Sequence, residues 1–369
     1  MTDLFPTDVY ATRLSHAARL CREQGWAGLI IGTGPELAYL TGSWLSSHER
    51  LTALAIPAGG HPVLVAPQTD IADLELSAVP HLDIQVSGWV DGEDPHVRAV
   101  EVLDHGPVGL GSSLTTLHVL RLQELIDAPT HPAATGLKEL FMRKDAAEIE
   151  QLALAAAAID RVHERVPSLL RAGRSEAQVA ADLRTLILKE HDVVDFVIVG
   201  SGPNGANPHH SHSSRVLETG DVVVVDVGGT RGPGYHSDST RTYVVGGADH
   251  APEDARAAYE VLHAAHAAAL AQARPGVSAA SVDRAAREVI EQAGYGEFFI
   301  HRTGHGIGLS THEEPFIMAG NDLVLEPGMC FSVEPGIYCP GRWGMRLEDI
   351  VVVSTTGVES LSHQQRELR

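Results

Sequence analysis

At 369 residues, with 44% hydrophobic and 20% charged, the chain is long enough for two globular domains and rich enough in apolar residues to build their cores. Lysine and arginine total 27 against 48 acids, a net charge of −21, which argues against nucleic acid or an anionic membrane as partner. The start, MTDLFPTDVYATRLSHAARL, lacks the apolar core of a signal peptide, and no apolar stretch is long enough to span a bilayer.

The first 130 residues alternate helix and strand signals. TDVYATRLSHAARLCREQG reads as an amphipathic helix stopped by Gly25, and AGLIIGT as a short strand. LTALAIPAGGHPVLVAP reads as two strands around an Ala-Gly-Gly turn, LDIQVSG and GPVGLGS as further strands, and TTLHVLRLQELID as a helix. The segment APTHPAATG (128–136) reads as a break. Residues 1–133 are therefore expected to form an α/β domain and 134–369 a second domain.

The second domain opens with what reads as one long helix, KDAAEIEQLALAAAAIDRVHERVPSLLRAG. Further on, LETGDVVVVDVGG (217–229) aligns without gaps on LEPGMCFSVEPGI (325–337), placing Asp226 opposite Glu334. Upstream, RAGRSEAQVAADLRTLI (171–187) aligns on RPGVSAASVDRAAREVI (274–290). The second domain thus reads as an internal duplication, each half a helical pair followed by an antiparallel strand pair. A pseudo-two-fold axis between the halves brings equivalent strands to one shared site.

FVIVGSGPNGANP contains G-x-G-x-x-G at Gly200, Gly202 and Gly205. A dinucleotide site needs a helix to begin there, and Pro203, Pro208 and the polar run HHSHSS prevent one. The three cysteines, Cys21, Cys330 and Cys339, have no zinc-type spacing and read as reduced thiols of a cytoplasmic protein.

Five residues remain. Asp226 ends the valine run VVVVD, Asp238 lies in HSDSTRT, His305 in TGHGIGLSTHEEP, Glu334 in SVEPGIY and Glu348 in MRLEDIVVV. The duplication pairs Asp226 with Glu334 and, less closely, Asp238 with Glu348. Four acids at apolar-flanked, symmetry-related positions repel one another strongly unless cations neutralise them. Two divalent ions balance four carboxylates, and an oxygen-rich shell with one imidazole suits Mn²⁺, with Co²⁺ or Zn²⁺ as alternatives. A bridging carboxylate pair would hold the ions about 3.5–4 Å apart, the separation of two-metal hydrolytic sites.

The segments DVGG, HSDSTRT, TGHGIGLSTHEEP, EPGIY and RLEDIV, in this order and spacing, resemble those of the pita-bread metallopeptidases, the family of methionine aminopeptidase, aminopeptidase P and prolidase. The resemblance covers residues 136–369, and the first 130 residues resemble the creatinase-type N-terminal domain of the Xaa-Pro-specific members. It implies a creatinase-like α/β domain ahead of a pita-bread domain. It makes Asp226, Asp238, His305, Glu334 and Glu348 the ligands of two metal ions. His209, His301 and His312 match the family's substrate-facing histidines, Glu334 also accepts a proton from the attacking water, and Arg346 matches an arginine that holds a ligand carboxylate. His210 and His212 match no such role and read as surface residues.

The implied reaction is hydrolysis of the Xaa-Pro bond in small peptides with proline second, by a cytoplasmic enzyme that neither nucleic acid nor membrane partners. The family's usual dimers imply a homodimer. Prolidase, which cuts dipeptides, is the favoured reading, and aminopeptidase P, which trims longer peptides, is the alternative. Familiar prolidases carry an arginine fourteen residues before the ligand equivalent to Glu334. That position is Gly320 here, and residues 313–333 contain no Arg or Lys. Arg302, Arg342 or Arg50 are the candidates to replace it. A metal-free creatinase-like or binding protein is disfavoured because all five ligand positions are filled, and methionine aminopeptidase because of the N-terminal domain.

Overall fold

A computed structural model describes residues 4–369, which divide into two compact units, 4–141 and 142–369. Each is described by itself.

In the first unit, helix α1 (Thr7–Gln24) buries Tyr10, Leu14, Ala17 and Cys21 along one face, the three-to-four-residue spacing of a helix stripe. It ends at Gly25, whose φ of 68° lets the following Trp26 N–H reach back to the Cys21 carbonyl at 2.8 Å. Strands β1 (Gly28–Gly32), β2 (Ala53–Pro57), β3 (Val63–Pro67), β4 (Gln85–Trp89), β5 (Val108–Leu110) and β6 (Thr130–Pro132) make one mixed sheet, ordered β4-β3-β2-β1-β5-β6. The β1–β2 and β2–β3 pairs are antiparallel and the rest parallel. Helices α2 (Pro35–Thr41), α3 (Pro95–Val100) and α4 (Thr116–Leu125) complete the α/β unit. The segment 128–136 is no structural break. Thr130–Pro132 pairs with β5, and α5 (Ala133–Met142) follows at once. Pairing to a strand twenty residues upstream leaves no local signature in so polar a stretch.

The second unit starts with α6 (Ala146–His163), capped by a reciprocal Asp145–Glu148 box. The single long helix expected here is broken. α6 stops at His163 and only the short turn α7 (Val166–Leu169) follows, because Pro167 has no N–H for the His163 carbonyl. α8 (Glu176–Glu190) then leads to the antiparallel sheet β7 (Val193–Ser201), β8 (Val222–Arg231) and β9 (Tyr235–Val244). The second half repeats the plan with α9 (Glu253–Gln272), α10 (Ala279–Gln292) and the strands β10 (Gly304–Gly306), β11 (Glu313–Ile317), β12 (Cys330–Val333), β13 (Gly336–Cys339), β14 (Trp343–Arg346), β15 (Asp349–Val353) and β16 (Val358–Ser360). Five of these form a sheet ordered β11-β10-β12-β15-β16, while β13 and β14 form a separate hairpin between β12 and β15. Each half therefore carries more strands than the expected pair.

The duplication persists in fine detail. Isolated bridges join Ser175 to Val216 and Ser278 to Val324. Gly173 donates to the Leu217 carbonyl and Gly276 to that of Leu325, both at 2.9 Å, with φ of 90° and 86°. Within β8, Val223, Val225 and Val227 pack with Ile159 and Val162 of α6 and Leu183 and Ile187 of α8. Side chains alternate along a strand, so Asp226 points to the opposite face, away from those helices. Among the described residues, no helix is long and apolar enough to cross a membrane.

The rejected G-x-G-x-x-G forms a single tight turn, Gly202–Ala206, at the end of β7. Its glycines serve close packing: a Cβ on Gly344 of β14 would overlap the Gly205 carbonyl. Gly344→Ala should therefore lower stability by about 2–4 kcal/mol, whereas Gly357→Ala, with open space at its Cβ, should change it by less than about 0.5 kcal/mol, measured by urea unfolding.

Candidate metal centre

β8 and β9 supply the first two acids. Asp226 lies opposite Thr240 and Asp238 opposite Gly228, so both acids share one face of the sheet. Glycine is needed at 228 because a Cβ there would strike the Phe196 ring. From the second half come His305 in β10, Glu334 just past β12, Arg346 at the end of β14 and Glu348 just before β15. All five expected ligand residues converge. His305 Nε2 lies 3.2 Å from Glu334 Oε1 and 3.7 Å from Asp238 Oδ2. Ser332 Oγ accepts from the His305 backbone N–H at 3.0 Å and donates to Glu334 Oε1 at 3.1 Å. Thr240 Oγ1 donates to Glu348 Oε2 at 2.8 Å and accepts from Arg346 Nε at 2.9 Å. Arg346 Nη2 donates to Asp226 Oδ2.

Asp226, Asp238, His305, Glu348 and Arg346 are buried, and Glu334 is nearly so. Burial pushes the Asp238 carboxyl well above its ordinary range, and Glu348, Asp226 and Glu334 beside it push the same way. Glu348 is raised well above its ordinary value by burial and by Glu334 and Asp226. Asp226 is raised by burial, against the pull of Arg346. Glu334 differs. Burial opposes its charge, yet the hydrogen bond and charge of His305, with His301 and Arg346, bring it down to about 2.

Among the described residues, four carboxyl groups thus face a single guanidinium, and two of their oxygens, Asp226 Oδ1 and Glu348 Oε1, are buried with no hydrogen-bond partner. Orphaned buried oxygens are costly unless something polar fills the space between them. Donor atoms of Asp226, Asp238 and Glu348 lie within 4.8 Å of one another, as do those of His305, Glu334 and Glu348. A third trio under the same limit joins Asp238, His305 and His312. Hard carboxylate oxygens plus imidazole nitrogen fit divalent cations, which would satisfy both orphans and the charge.

A cavity of about 570 Å³ opens over these groups, lined also by Phe196, Ile198, Pro208, His209, His301, Arg302 and His312. The three expected substrate-facing histidines therefore share it. His301 Nδ1 donates to the Arg302 carbonyl at 2.7 Å, leaving Nε2 to accept from the Tyr338 hydroxyl at 2.9 Å. That hydroxyl accepts in turn from Arg346 Nη1, also at 2.9 Å. Burial lowers His301, and burial with the charges of His305 and Arg302 lowers His312 to about 4. The His312 ring packs edge-on against His305, 4.1 Å between centroids, and its neighbour Glu313 is ion-paired with the buried Lys144.

Sequence reasoning misplaced His210, which is not a free surface residue: it is half-buried, with Nε2 2.9 Å from Glu176 Oε2. His212 is likewise half-buried. It also missed Thr240 and Tyr338, although both lie inside the quoted motifs HSDSTRT and EPGIY. Of the three candidate cations, Arg302 lines the cavity, its guanidinium 4.5 Å over the Phe316 ring. Arg342 is exposed and ion-paired with Asp254, and Arg50 is ion-paired with Asp91 in the other unit.

The comparisons agree with this geometry. Residues 150–355 match metallopeptidase family M24, and residues 13–139 match the creatinase/prolidase N-terminal domain. The crystal structure of dipeptidase PepE from Mycobacterium ulcerans is similar with a TM-score of 0.95 and 51% identity, covering 99% of this chain and 98% of that one. A prolidase from Thermococcus sibiricus is similar with a TM-score of 0.89 and 36% identity, covering 97% and 98%. An Xaa-Pro dipeptidase of Lactobacillus helveticus is 35% identical over 345 residues, 90% of this chain and 92% of that protein. The buried acids, the duplicated strands that carry them and the N-terminal α/β unit thus have one account: the chain is a hydrolase belonging to metallopeptidase family M24, a pita-bread domain preceded by a creatinase/prolidase N-terminal domain.

Proposed function

We propose that this hydrolase is a prolidase, cutting dipeptides with proline in second position. Asp226, Asp238, His305, Glu334 and Glu348 would hold two divalent ions, Mn²⁺ first among Mn²⁺, Co²⁺ and Zn²⁺. When bound, the ions supply positive charge to the scissile carbonyl and to the attacking water. Glu334, ionised at neutral pH, takes the proton of that water and passes it to the departing proline nitrogen. Arg346 fixes the Asp226 carboxylate through Nη2, and its Nη1 orients Tyr338 and hence His301. His312 stands in the cavity as a donor for the oxyanion, while His301, both of whose ring nitrogens are already committed, lines the substrate's side as a fixed neutral ring. An Xaa-Pro bond has no N–H, so recognition relies on shape, with Phe196, Ile198 and Pro208 as the apolar wall for the pyrrolidine ring.

The observation that carries the dipeptide assignment is Arg302. Among the described residues its guanidinium makes no hydrogen bond or ion pair, yet it lines the cavity above the acids. A dipeptide places a carboxylate directly after proline, and an uncommitted guanidinium is a matching receptor. The relatives named as dipeptidase and prolidase support the same reading. One observation favours aminopeptidase P instead: Gly320, where familiar prolidases carry arginine, is exposed with open space around it. The three free, buried cysteines accord with a reducing cytoplasm, and the family resemblance with a homodimer.

With Mn²⁺ the protein should hydrolyse Ala-Pro faster than Ala-Pro-Ala, and a preference for the tripeptide would overturn the prolidase assignment. Arg302→Gln should raise KM for Ala-Pro by about 10- to 100-fold, the worth of a charge-assisted hydrogen bond, while leaving cleavage of the carboxylate-free Ala-Pro-amide unchanged. Asp226→Ala should abolish turnover. Asp238→Asn should do so too, yet raise the melting midpoint of the chelator-treated protein by a few degrees, because one of four crowded, mutually unfavourable carboxyl groups is gone. In Mn²⁺ the order should reverse, since the intact site gains more from binding. Scanning calorimetry of both forms checks this.

A further inference from the structure

Two sequence features find no place in the chemistry above: the glycine turn after β7 and the polar run HHSHSS. Both fall within residues 201–214, and one carboxylate organises the segment 201–213. Glu176, fully buried at the start of α8, accepts on Oε1 from the Ser201 N–H (2.8 Å), Ser201 Oγ (2.6 Å) and Asn204 Nδ2 (3.0 Å). Its Oε2 accepts from the Ser213 N–H (2.8 Å), Ser213 Oγ (2.7 Å) and His210 Nε2 (2.9 Å). Every one of these donors comes from the segment. Burial opposes the Glu176 charge, but the bonds from Ser201, His210 and Ser213 prevail and bring it down to about 2.

Helix capping does not explain this residue. The start of α8 is already closed by the reciprocal Ser175–Gln178 box, and Glu176 accepts none of these bonds from helix amides. Nor does the fold demand it. The repeated half builds the same local bridge, Ser278 to Val324, with Ala279 in the equivalent place. The two halves differ in what their segment carries. His209 lines the cavity from the middle of this one, and among the described residues its imidazole makes no hydrogen bond. Its direction is set by backbone alone: its N–H donates to Asn207 Oδ1 at 3.2 Å, and Arg346 Nη1 reaches the preceding Pro208 carbonyl at 3.4 Å.

We infer that Glu176 is a positioning residue for the peptidase reaction: it locks the segment 201–213 so that His209 faces the substrate, with His210 as one of the locking donors. The inference rests on the proposed substrate-facing role of His209. The test is a double-mutant cycle in the Mn²⁺-loaded enzyme with Ala-Pro, using Glu176→Gln and His209→Ala, with melting midpoints measured in parallel. Glu176→Gln should lower kcat/KM by about tenfold, split between kcat and KM as in His209→Ala, and should cost nothing further once His209 is absent. Multiplying effects, or a lowered midpoint with unchanged kcat/KM, would leave Glu176 a purely structural residue and overturn the inference. Wild-type kcat/KM in His209→Ala would instead remove the histidine from the reaction, and the inference with it. If Glu176→Gln does not fold, Ser213→Ala and His210→Phe each remove one donor. Each should then show a smaller loss with the same split and the same non-additivity, and multiplying effects would again overturn the inference.

Discussion

Four carboxyl groups share one buried space with a single guanidinium, and much of the catalytic unit can be read as the means of keeping them there. Like charges at such distances in a poorly solvated interior repel strongly, and no ordinary core would tolerate them. The backbone cannot yield, because Asp226 and Asp238 sit on paired strands whose other face is packed against α6 and α8. Around the acids the side chains are small or already committed. Gly228 makes room, Thr240 serves Arg346 on one side and Glu348 on the other, and Ser332 links His305 to Glu334. Rigid walls and unsatisfied oxygens together define a site shaped for cations.

How much of this was legible depended on whether the signal was local. Asp226 and Glu334 could be found because the duplication put them opposite each other, and His305 and Glu348 because the family's motifs surround them. The α/β alternation of the first unit followed from apolar periodicity and from stops such as Gly25. β6 could not be read, since its only warrant is a parallel partner far upstream. The break between α6 and α7 could have been read, because Pro167 was in plain view. The apolar spacing across it outweighed the proline, although the missing N–H is decisive.

The site's polar connections were the hardest to foresee. Tyr338 joins Arg346 to His301 only because the β13–β14 hairpin brings its two strands, and so Tyr338 and Arg346, together. Arg302 could be named as one of three cations, but which one reaches the cavity is a three-dimensional fact. His210 read as surface because a polar run normally is solvated. Nothing in HHSHSS reveals that a carboxylate thirty-four residues earlier, on another element, collects its donors. Satisfaction of a buried polar group is a property of the whole assembly, so sequence windows rarely show it.

The hairpin β13–β14 carries a further consequence. The two halves descend from one pattern, and a site built on such symmetry has no front or back. A peptide does: it has an amino end, a carboxyl end and a bond between them that reads differently in each direction. Something must tell the pocket which way the chain runs. The hairpin matches the end of β8–β9 in register, Gly336 pairing with Arg346 as Gly228 pairs with Asp238, yet where the first half has Thr230, His236 and Asp238 it carries Tyr338, the glycine on which the turn after β7 rests, and Arg346. Different side chains on matching strands of a duplicated unit thereby give direction to a site that inherited none.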